Sequence, residues 1–403
     1  MKQNISIEDA LEIVLEQAKP LHSTEQTPLT SAFERILGAD LSSKVNHPDA
    51  DDTSLDGYAC LEVDAHSAAV GNPVKLKVIG VSPAGKPFEG TLKHGEAVQV
   101  FTGTPIPRGA DAVIRVEDTL REGEYVWLMR PASKADIRHK GDDLQAGQTY
   151  LHKGDLLTPA RVGLAAAMGY PEIPVLVQPK VGILSTGDEV VEPGEPLPHG
   201  GVYNSNAYSL AGLVLEAGGE PVMLGKVPDN MDGLRGQLLR AGKLDLLLTS
   251  GGVSMGEHDI VRLMLEREGG IHFWKVRIQP GGPFLFADWE GIPLMGLPGN
   301  PVSAMVIFLL FGRPFLFKLL SRTDPPLSTL KAVAETPFAA NPTKQVYRRA
   351  VMSWKNGRYH VWSTGNQSSG VLRSMAVGNA LVVLESGIAA SAGDVVDVIP
   401  LPS

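Results

Sequence analysis

The sequence contains one cysteine, Cys60, among 403 residues. A single cysteine excludes an internal disulfide and a cysteine-based metal cage, and it is typical of a reducing compartment. An excess of positive charge is also missing, because the formal net charge at pH 7 is −9. Such a chain has no bulk attraction for nucleic acid or for an anionic membrane surface, so neither is expected as a partner.

Long hydrophobic runs are absent from the sequence as well. The longest apolar stretch, residues 304–311, is far shorter than the roughly 20 residues that a membrane-spanning helix needs. Near the start of the chain, Glu8, Asp9 and Glu12 interrupt the region where a secretory signal would be continuously apolar. We therefore expect a cytoplasmic protein that is not inserted in a membrane.

Glycine and proline, by contrast, are abundant, with 44 and 30 residues. This composition favours many turns and short strands over a long helical bundle, and the chain length suggests two to four domains. Helices predicted at 6–18 and 159–168 enclose a segment of short alternating runs separated by glycine and proline. The order helix, β-rich segment, helix predicts an inserted domain whose parent domain is made from two separated pieces.

The second half of the chain has a different pattern. Between residues 179 and 320, strands alternate with helices, which implies a doubly wound, largely parallel sheet covered on both faces. After the linker-like stretch 324–326, short strands return and indicate a small β-barrel or sandwich. The fold class is therefore multidomain α/β plus β. Its expected units are a two-segment helical domain (1–44 and 139–178), an inserted β-rich domain (45–138), an α/β domain (179–325) and a C-terminal β domain (326–403).

Three glycine-rich segments, 185–189, 249–256 and 296–303, follow predicted strands of the α/β domain. In an open α/β sheet such loops gather at the carboxyl ends of the strands, where ligands bind. Glycine lets the backbone approach a ligand closely, and helix N-termini offer N–H groups to phosphate. Taken singly, each loop is equally well a tight turn without a ligand. None matches G-x-x-x-x-G-K-S/T or G-x-G-x-x-G, which argues against a nucleoside triphosphatase and a dehydrogenase.

Carboxylates recur in these loops and in the first half of the chain. Taken singly, each is typical of a solvated turn residue or a helix cap. Together, beside backbone amides suited to phosphate, they predict a Mg²⁺ site that joins protein oxygens to substrate oxygens, since anionic loops would otherwise repel a phosphate ester. The carboxylates are Asp56, Asp142, Asp143, Asp188, Glu189 and Asp259.

Further segments of the first half complete a collinear set of motifs. Residues 48–59 resemble P-x-x-D-x-S-x-M-D-G-Y-A, residues 102–111 resemble T-G-A-x-x-P-x-G-A-D, and residues 141–143 stand in place of G-E-D. With the three glycine-rich segments, this order covers nearly the whole chain. It resembles that of the molybdopterin molybdenumtransferase family, which is also represented by the C-terminal domain of gephyrin.

The resemblance implies a pterin-binding α/β domain and a C-terminal β-barrel. It also implies an elongated homodimer whose active site lies between the α/β domain of one subunit and the inserted domain of the other. The implied activity is that of a molybdenum insertase, which acts on adenylated molybdopterin and molybdate, hydrolyses the adenylate with Mg²⁺ as cofactor, and releases AMP and molybdenum cofactor. The molybdopterin adenylyltransferase is then a candidate partner.

The motif match also assigns roles to individual residues. Asp56 and Thr102 would lie on the partner-supplied side of the site, and Glu189 and Asp259 would bind the metal. The full catalytic set is Asp56, Thr102, Asp142, Glu189 and Asp259. Cofactor-binding residues are expected in the glycine-rich loops and one neighbouring strand, at Ser250, Gly251, Gly252, Ser254, Lys275, Pro298, Asn300 and Pro301.

Two departures from the family pattern fall in residues 279–283, which resemble K-P-G-K-P. Gln279 replaces the basic residue before Pro-Gly, and Gly282 replaces the second lysine. Loss of a charged hydrogen bond predicts about tenfold weaker binding of molybdate. Lys275 and Arg277 lie at even spacing from Gln279, so in an extended strand they would share its face and compensate.

Two other functions stay open on the sequence. A molybdopterin-binding or scaffold protein without efficient transfer is favoured only by the missing basic residue. The adenylating partner enzyme is the third reading, because its α/β domain resembles residues 179–320. The additional inserted and C-terminal domains argue against it.

Overall fold

The structure is a computed structural model that describes residues 2–227, 233, 235–237, 242–252, 260–268 and 270–401. Within these residues the helices are α1 (Ile7–Gln17), α2 (Glu62–Ala65), α3 (Pro159–Ala167), α4 (Ser205–Glu216), α5 (Ile260–Glu268), α6 (Pro301–Ile307), α7 (Arg313–Leu319) and α8 (Arg373–Val377). Short 3-10 turns lie at Leu29–Ser31 and Val116–Asp118, and a π turn at Phe308–Gly312 joins α6 to α7.

The strands of the first half are β1 (Lys2–Ile5), β2 (Thr24–Pro28), β3 (Leu41–Ser42), β4 (Asp52–Thr53), β5 (Gly57–Cys60), β6 (Val74–Ser82), β7 (Glu96–Val100), β8 (Ala112–Arg115), β9 (Thr119–Glu122), β10 (Tyr125–Leu128), β11 (Ile137–Arg138), β12 (Thr149–Leu151) and β13 (Glu172–Leu176). Those of the second half are β14 (Lys180–Thr186), β15 (Val190–Val191), β16 (Val202–Tyr203), β17 (Glu220–Val227), β18 (Leu246–Ser250), β19 (Gly270–Val276), β20 (Ile278–Gln279), β21 (Leu285–Trp289), β22 (Ile292–Leu297), β23 (Leu330–Ala334), β24 (Gln345–Lys355), β25 (Arg358–Ser363), β26 (Ala380–Leu384) and β27 (Val395–Pro400).

The inserted unit is a six-stranded sheet in the order β8-β5-β7-β6-β10-β9. Strand β5, which lies between β8 and β7, has alternating side chains, so Tyr58 and Cys60 pack into one core while Ala59 packs into the other. Both faces of this strand are therefore buried, and burial raises the pKa of the Cys60 thiol to about 12. The β-rich insertion predicted from the alternating runs is confirmed.

The two-segment piece contains more strand than the sequence patterns predicted. Its helix α3 begins as expected, with the Thr158 hydroxyl accepting from the Arg161 N–H and Pro159 in the first turn. Beside it lie two antiparallel ribbons, β2 with β13 and β3 with β12. The first predicted helix, α1, packs elsewhere: Ala10 and Val14 are fully buried in the core of the α/β domain, and β1 pairs in parallel with β19 of that domain.

The α/β domain contains a seven-stranded sheet in the order β1-β19-β21-β22-β18-β14-β17. The run β22-β18-β14-β17 is parallel throughout, whereas β21 is antiparallel to both neighbours. Separate apolar cores cover the two faces. The doubly wound, largely parallel sheet is thus confirmed, and the carboxyl ends of β14, β18 and β22 lie side by side.

One helical stretch of this domain is unusually apolar. By length and composition Pro301–Leu319 could cross a membrane, yet 83% of its most apolar window is buried inside the protein. Phe308, Phe311 and Phe315 are fully buried in the same core as α1 and α4. The burial is that of a core helix packed against a sheet.

The C-terminal unit is a closed barrel. Five strands follow the order β24-β25-β23-β27-β26, and an additional pairing of β24 with β26 closes the ring. The barrel is tied to the α/β domain by β20, which pairs in parallel with β24 through Ile278 opposite Gln345 and Gln279 opposite Val346. This pairing fixes the start of β24 beside residues 279–283.

Candidate functional site

A cavity of about 1090 Å³ lies between the α/β domain and the barrel. One wall consists of the glycine-rich loops that follow β14, β18 and β22. The opposite wall consists of barrel segments, and residues 278–283 line the cavity between the two. The volume exceeds the upper range of ordinary small-molecule pockets, so the cavity has room for a ligand of nucleotide-conjugate size.

The three glycine-rich loops meet in this wall as the sequence predicted. The Gly251 N–H donates to the Leu297 carbonyl at 3.0 Å, which joins the second loop to the end of β22. Gly251 has φ +94°, and a Cβ there would lie 2.9 Å from both the carbonyl oxygen and the hydroxyl of Thr186. Only glycine allows the loops after β14 and β18 to approach this closely. Gly252 has φ +69°, and a Cβ there would lie 3.0 Å from the hydroxyl of the same threonine.

A buried asparagine holds the loops together, and sequence reasoning missed it. The Asn206 side-chain amide donates to the Ser250 hydroxyl at 2.6 Å and to the Gly299 carbonyl at 2.8 Å. Asn206 lies in the first turn of α4, where Asn204 caps the helix by accepting from the Ala207 N–H at 3.3 Å. Two asparagines at the start of a helix that faces three glycine loops are the signal that could have revealed this role.

Pro298, Asn300 and Pro301 all line the cavity, at the start of α6. The Asn300 side chain makes no capping hydrogen bond to α6. Instead, the Val302 N–H donates to the carbonyl of Ser369 at 3.2 Å, so a barrel loop covers the N-terminus of the helix. Ser250 and Gly251 also line the cavity, whereas Ser254 lies outside the described residues.

Glu189 contributes the only carboxylate among the described residues that line the cavity. Its side chain is exposed and folds over Gly187, where a Cβ would lie 2.8 Å from each carboxylate oxygen. Gly187 has φ +122°, so the backbone itself favours glycine at this position. No described residue donates a hydrogen bond to the Glu189 carboxylate, so its oxygens are available to a ligand.

The barrel wall contributes three cations that the sequence analysis did not identify. Lys344, Arg348 and Arg349, the cation group, all line the cavity. None of them forms an ion pair with a carboxylate among the described residues; Arg348 donates to the Ala339 carbonyl at 2.9 and 2.6 Å. Three cations within six residues of one segment were a visible signal. Because the segment lies in another predicted domain, nothing in the sequence linked it to the glycine loops.

Arg349 is the most unusual member of the cation group because its side chain is fully buried. Its guanidinium donates to the Ser374 hydroxyl and to the Ser368 carbonyl, both at 3.1 Å. Burial, with a smaller effect of Arg348, lowers the pKa of Arg349 to about 10. A buried cation without a carboxylate is costly unless an anion comes from outside. The barrel wall therefore contains a buried positive charge that no carboxylate of the described residues compensates.

The expectation that Lys275 and Arg277 share the cavity face with Gln279 is wrong. Lys275 has φ +69°, which breaks the alternation of the strand, and its ammonium lies 4.1 Å from the centre of the Trp274 ring. The Arg277 guanidinium donates to the carbonyl of Asn4 at 3.1 Å. Gln279 does line the cavity, but Lys275 and Arg277 are not among its described lining residues.

A second group of predicted residues assembles in the first half of the chain. The Asp56 carboxylate accepts from the N–H and the hydroxyl of Thr102, both at 2.8 Å. These hydrogen bonds, the backbone one first, lower the pKa of Asp56. Nearby, the Asp142 carboxylate accepts from the His139 N–H at 2.6 Å. The Lys140 N–H donates to the carboxylate of Asp51, in the same motif as Asp56, at 2.9 Å, so the three motifs are brought together as the resemblance implied.

An ion pair between Arg138 and Asp52 stabilises this group of residues. The Arg138 guanidinium donates from Nε and from a terminal nitrogen to the two carboxylate oxygens of Asp52, each at 2.8 Å. Asp52 is buried, and its strand β4 pairs with β11, which contains Arg138. Such a bidentate ion pair fixes the position of the two strands relative to each other.

The two groups are not joined within one chain: Asp56, Thr102 and Asp142 do not line the cavity that contains Glu189. Asp259, the other predicted metal ligand, lies outside the described residues. Among the residues that are described, no group of three or more His, Cys, Asp or Glu side chains could hold a metal ion. A complete protein-only metal cage is therefore not assembled in the described part of the chain.

Comparison with known families assigns nearly the whole length. Residues 5–169 match the model described as the MoeA N-terminal region (domain I and II). Residues 182–318 match a probable molybdopterin binding domain, and residues 331–401 match the MoeA C-terminal region (domain IV). These three matches coincide with the segments that build the fold described above.

Individual relatives agree with the family models. The chain is 35% identical over 410 residues to the molybdopterin molybdenumtransferase of Haemophilus influenzae, with 98% of each chain covered. It is 38% identical over 363 residues to molybdopterin molybdenumtransferase 2 of Mycobacterium tuberculosis, covering 88% of this chain and 89% of that relative. The crystal structure of the molybdopterin biosynthesis moeA protein from Pyrococcus horikoshii OT3 superposes with a TM-score of 0.86 at 30% identity, covering 98% of this chain and 100% of that one.

Proposed function

Because the chain belongs to the molybdopterin molybdenumtransferase family, we propose that it acts in molybdenum cofactor biosynthesis as a molybdenum insertase. The substrates are adenylated molybdopterin and molybdate. The enzyme transfers molybdenum from molybdate to the pterin and hydrolyses the adenylate, so that AMP and molybdenum cofactor are released. The reaction takes place in the cytoplasm.

The cavity between the α/β domain and the barrel is the observation that carries this proposal. Among its described residues, the α/β wall offers backbone amides of glycine loops and the carboxylate of Glu189. Its barrel wall offers the cation group, in which a fully buried arginine has no carboxylate partner among the described residues. A substrate with a phosphate-bearing part and a separate oxyanion fits walls of these two kinds.

The residues take separate parts in the reaction. The loops around Ser250, Gly251 and Gly299 bind the pterin and its phosphate through backbone groups, with Asn206 holding the loops in register. The cation group binds molybdate, because charged donors form stronger hydrogen bonds to an oxyanion than neutral ones do. Exclusion of water by the surrounding loops strengthens these electrostatic interactions.

The proposed cofactor is Mg²⁺, and the described residues are compatible with it. Mg²⁺ is usually held by one or two carboxylates together with substrate phosphates and water, so it does not require a protein-only cage. Glu189 would hold it through a carboxylate that accepts no hydrogen bond from the described residues, and Asp259 is the second ligand expected from the motif. When bound, the ion would neutralise charge on the adenylate phosphates.

We further propose that the complete site is composite and that the protein is a homodimer. Asp56 and Thr102 match active-site motifs but do not line the cavity of their own chain, so a partner subunit would bring them to it. The molybdopterin adenylyltransferase, which would supply the adenylated substrate, is the proposed protein partner.

The proposal is tested by incubating the protein with adenylated molybdopterin, Mg²⁺ and molybdate and measuring both AMP and pterin-bound molybdenum. We expect both products, with AMP release dependent on Mg²⁺. Binding of the pterin without AMP release would favour the scaffold alternative, which the loss of a basic residue at Gln279 supports. Formation of adenylated molybdopterin from ATP would instead favour the adenylating enzyme. Either result would contradict the proposal.

A further inference from the structure

Gly282 and Lys344 are close neighbours, and both line the cavity. A Cβ built on Gly282 would lie 3.4 Å from the Lys344 Nζ. The ammonium of Lys344 thus occupies the space into which a side chain at position 282 would extend. Gly282 is the position where the family pattern K-P-G-K-P has its second lysine and this chain has no side chain.

The position of Lys344 is fixed by the backbone. It directly precedes β24, whose first residues pair in parallel with β20, and the Gln345 N–H donates to the carbonyl of Arg277 at 3.2 Å. On the same loop, the Asn341 side-chain amide donates to the Gln279 side-chain oxygen at 2.8 Å. Each of the two departures from the family pattern, at 279 and 282, therefore lies next to a residue of the barrel segment 341–344.

The ammonium of Lys344 is also free to bind a ligand. The side chain is half-buried, and in the described part of the chain it has no hydrogen bond or ion pair. It lies in the same wall as Arg348 and the fully buried Arg349, and neither arginine pairs with a carboxylate that the structure describes. Three cations that line one cavity and form no ion pair within the described residues favour an oxyanion there.

Resting on the proposed function, we propose that Lys344 supplies from the barrel the cation that position 282 lacks, and that its ammonium binds molybdate in the cavity. The oxyanion site of this chain is then built across the domain boundary, with its lysine on the barrel wall. A phosphate of the other substrate has similar chemistry, so the test must separate the two anions.

The test measures equilibrium binding of molybdate alone and of inorganic phosphate alone to four full-length proteins. These are the wild type, Lys344→Met, the double variant Lys344→Met with Gly282→Lys, and the control Lys331→Met. Lys331 is an exposed barrel lysine that pairs with Asp397 outside the cavity. Gly282 can accept a side chain, because its nearest contacts would be ordinary van der Waals distances and its φ is not positive.

We expect Lys344→Met to weaken molybdate binding about tenfold, the double variant to restore it to within about threefold of wild type, and Lys331→Met to leave it unchanged. Recovery in the double variant also shows that the Met variant is folded. Unchanged molybdate binding in Lys344→Met, no recovery in the double variant, or weakening confined to phosphate would overturn the assignment while leaving the proposed function intact. A wild-type protein that binds no molybdate would instead contradict the proposed function itself.

Discussion

The Asp56 carboxylate accepts two hydrogen bonds from one residue, Thr102, through the backbone N–H and the side-chain hydroxyl, each at 2.8 Å. The two residues belong to separate motifs that are 46 positions apart in the sequence. Both donors stabilise the charged carboxylate, so the pKa of Asp56 lies below its ordinary value, with the backbone donor contributing most. Asp56 therefore stays ionised across the physiological range with its position fixed.

Replacement of Thr102 by valine should raise the pKa of Asp56 but leave it below the ordinary value of 3.8. The backbone N–H of residue 102, whose hydrogen bond lowers the pKa most, remains in the variant. A carboxyl pKa that is lowered by folding stabilises the protein above the unfolded pKa, and this stabilisation is lost as the pH falls through the folded pKa. The stability difference between wild type and Thr102→Val should accordingly disappear in acid. NMR titration of the Asp56 carboxyl and urea unfolding at several pH values measure both effects.

The control for this titration is Thr149→Val, whose hydroxyl pairs with the hydroxyl of Ser42 and not with a carboxylate. It should leave the pKa of Asp56 unchanged. An Asp56 pKa that does not move in Thr102→Val, or that rises above 3.8, would show that the hydrogen bonds act differently in solution.

Asp56 and Glu189 should complement each other between subunits. If the proposed dimer unites the inserted domain of one chain with the cavity of the other, Asp56→Ala and Glu189→Ala homodimers are each inactive. A heterodimer of the two variants then retains one intact site, and about half of the wild-type activity is the upper limit. Co-expression with two affinity tags, followed by the AMP assay, measures this. Purified heterodimers that remain inactive would exclude a shared site of this kind.

The meeting of the glycine loops could be predicted from sequence because it follows from strand order. Parallel strands place their carboxyl ends at one edge of the sheet, and β14, β18 and β22 are neighbours, so the loops at residues 186, 251 and 299 meet. Topology rules were sufficient for these loops. The association of Asp56 with Thr102, by contrast, was implied only by the resemblance of their two motifs to the family.

The barrel's contribution could not be predicted in the same way. The cation group reaches the cavity through the pairing of β20 with β24, a long-range contact between strands of which β20 has only two residues. The compensation expected from Lys275 and Arg277 assumed regular alternation of side chains. The positive φ of Lys275, unusual for a non-glycine residue, removes that regularity.

Gly251→Ala should damage both the site and the fold. The residue has φ +94°, and the new Cβ would lie 2.9 Å from the Thr186 carbonyl, so the loops after β14 and β18 must separate. We expect a loss of about 1–3 kcal/mol in the free energy of unfolding, from backbone strain alone, together with weaker pterin binding. Thermal unfolding and ligand titration measure the two effects.

The matched control is Gly212→Ala, in α4 of the same domain, where an added Cβ meets nothing within 4 Å. Alanine in a helix interior should be stabilising by about 0.5–1 kcal/mol there. If the two alanine variants behaved alike, the tight approach at Gly251 would not be a constraint in solution.

Arg349 should be costly for stability and necessary for anion binding. Arg349→Met replaces a fully buried guanidinium, which pairs with no carboxylate in the described part of the chain, with an apolar side chain that fills similar space. We expect thermal stability to be unchanged or higher, since removal of an unpaired buried charge relieves its desolvation cost, while molybdate binding falls by at least about tenfold. Molybdate should raise the unfolding temperature of the wild type but not that of the variant.

The pH dependence follows from the pKa of Arg349, which burial lowers to about 10 from the ordinary value of 12.5. Because the folded pKa of this base is lowered, its charged form destabilises the fold below the folded pKa, and the cost decreases as the pH rises through about 10. The stability advantage of Arg349→Met should therefore be largest near neutral pH and decrease in alkali. Arg358→Met, an exposed barrel residue outside the cavity, should show neither effect. If Arg349→Met is less stable than wild type at neutral pH yet binds molybdate normally, the guanidinium supports the barrel loop through Ser368 and Ser374 and does not bind the anion.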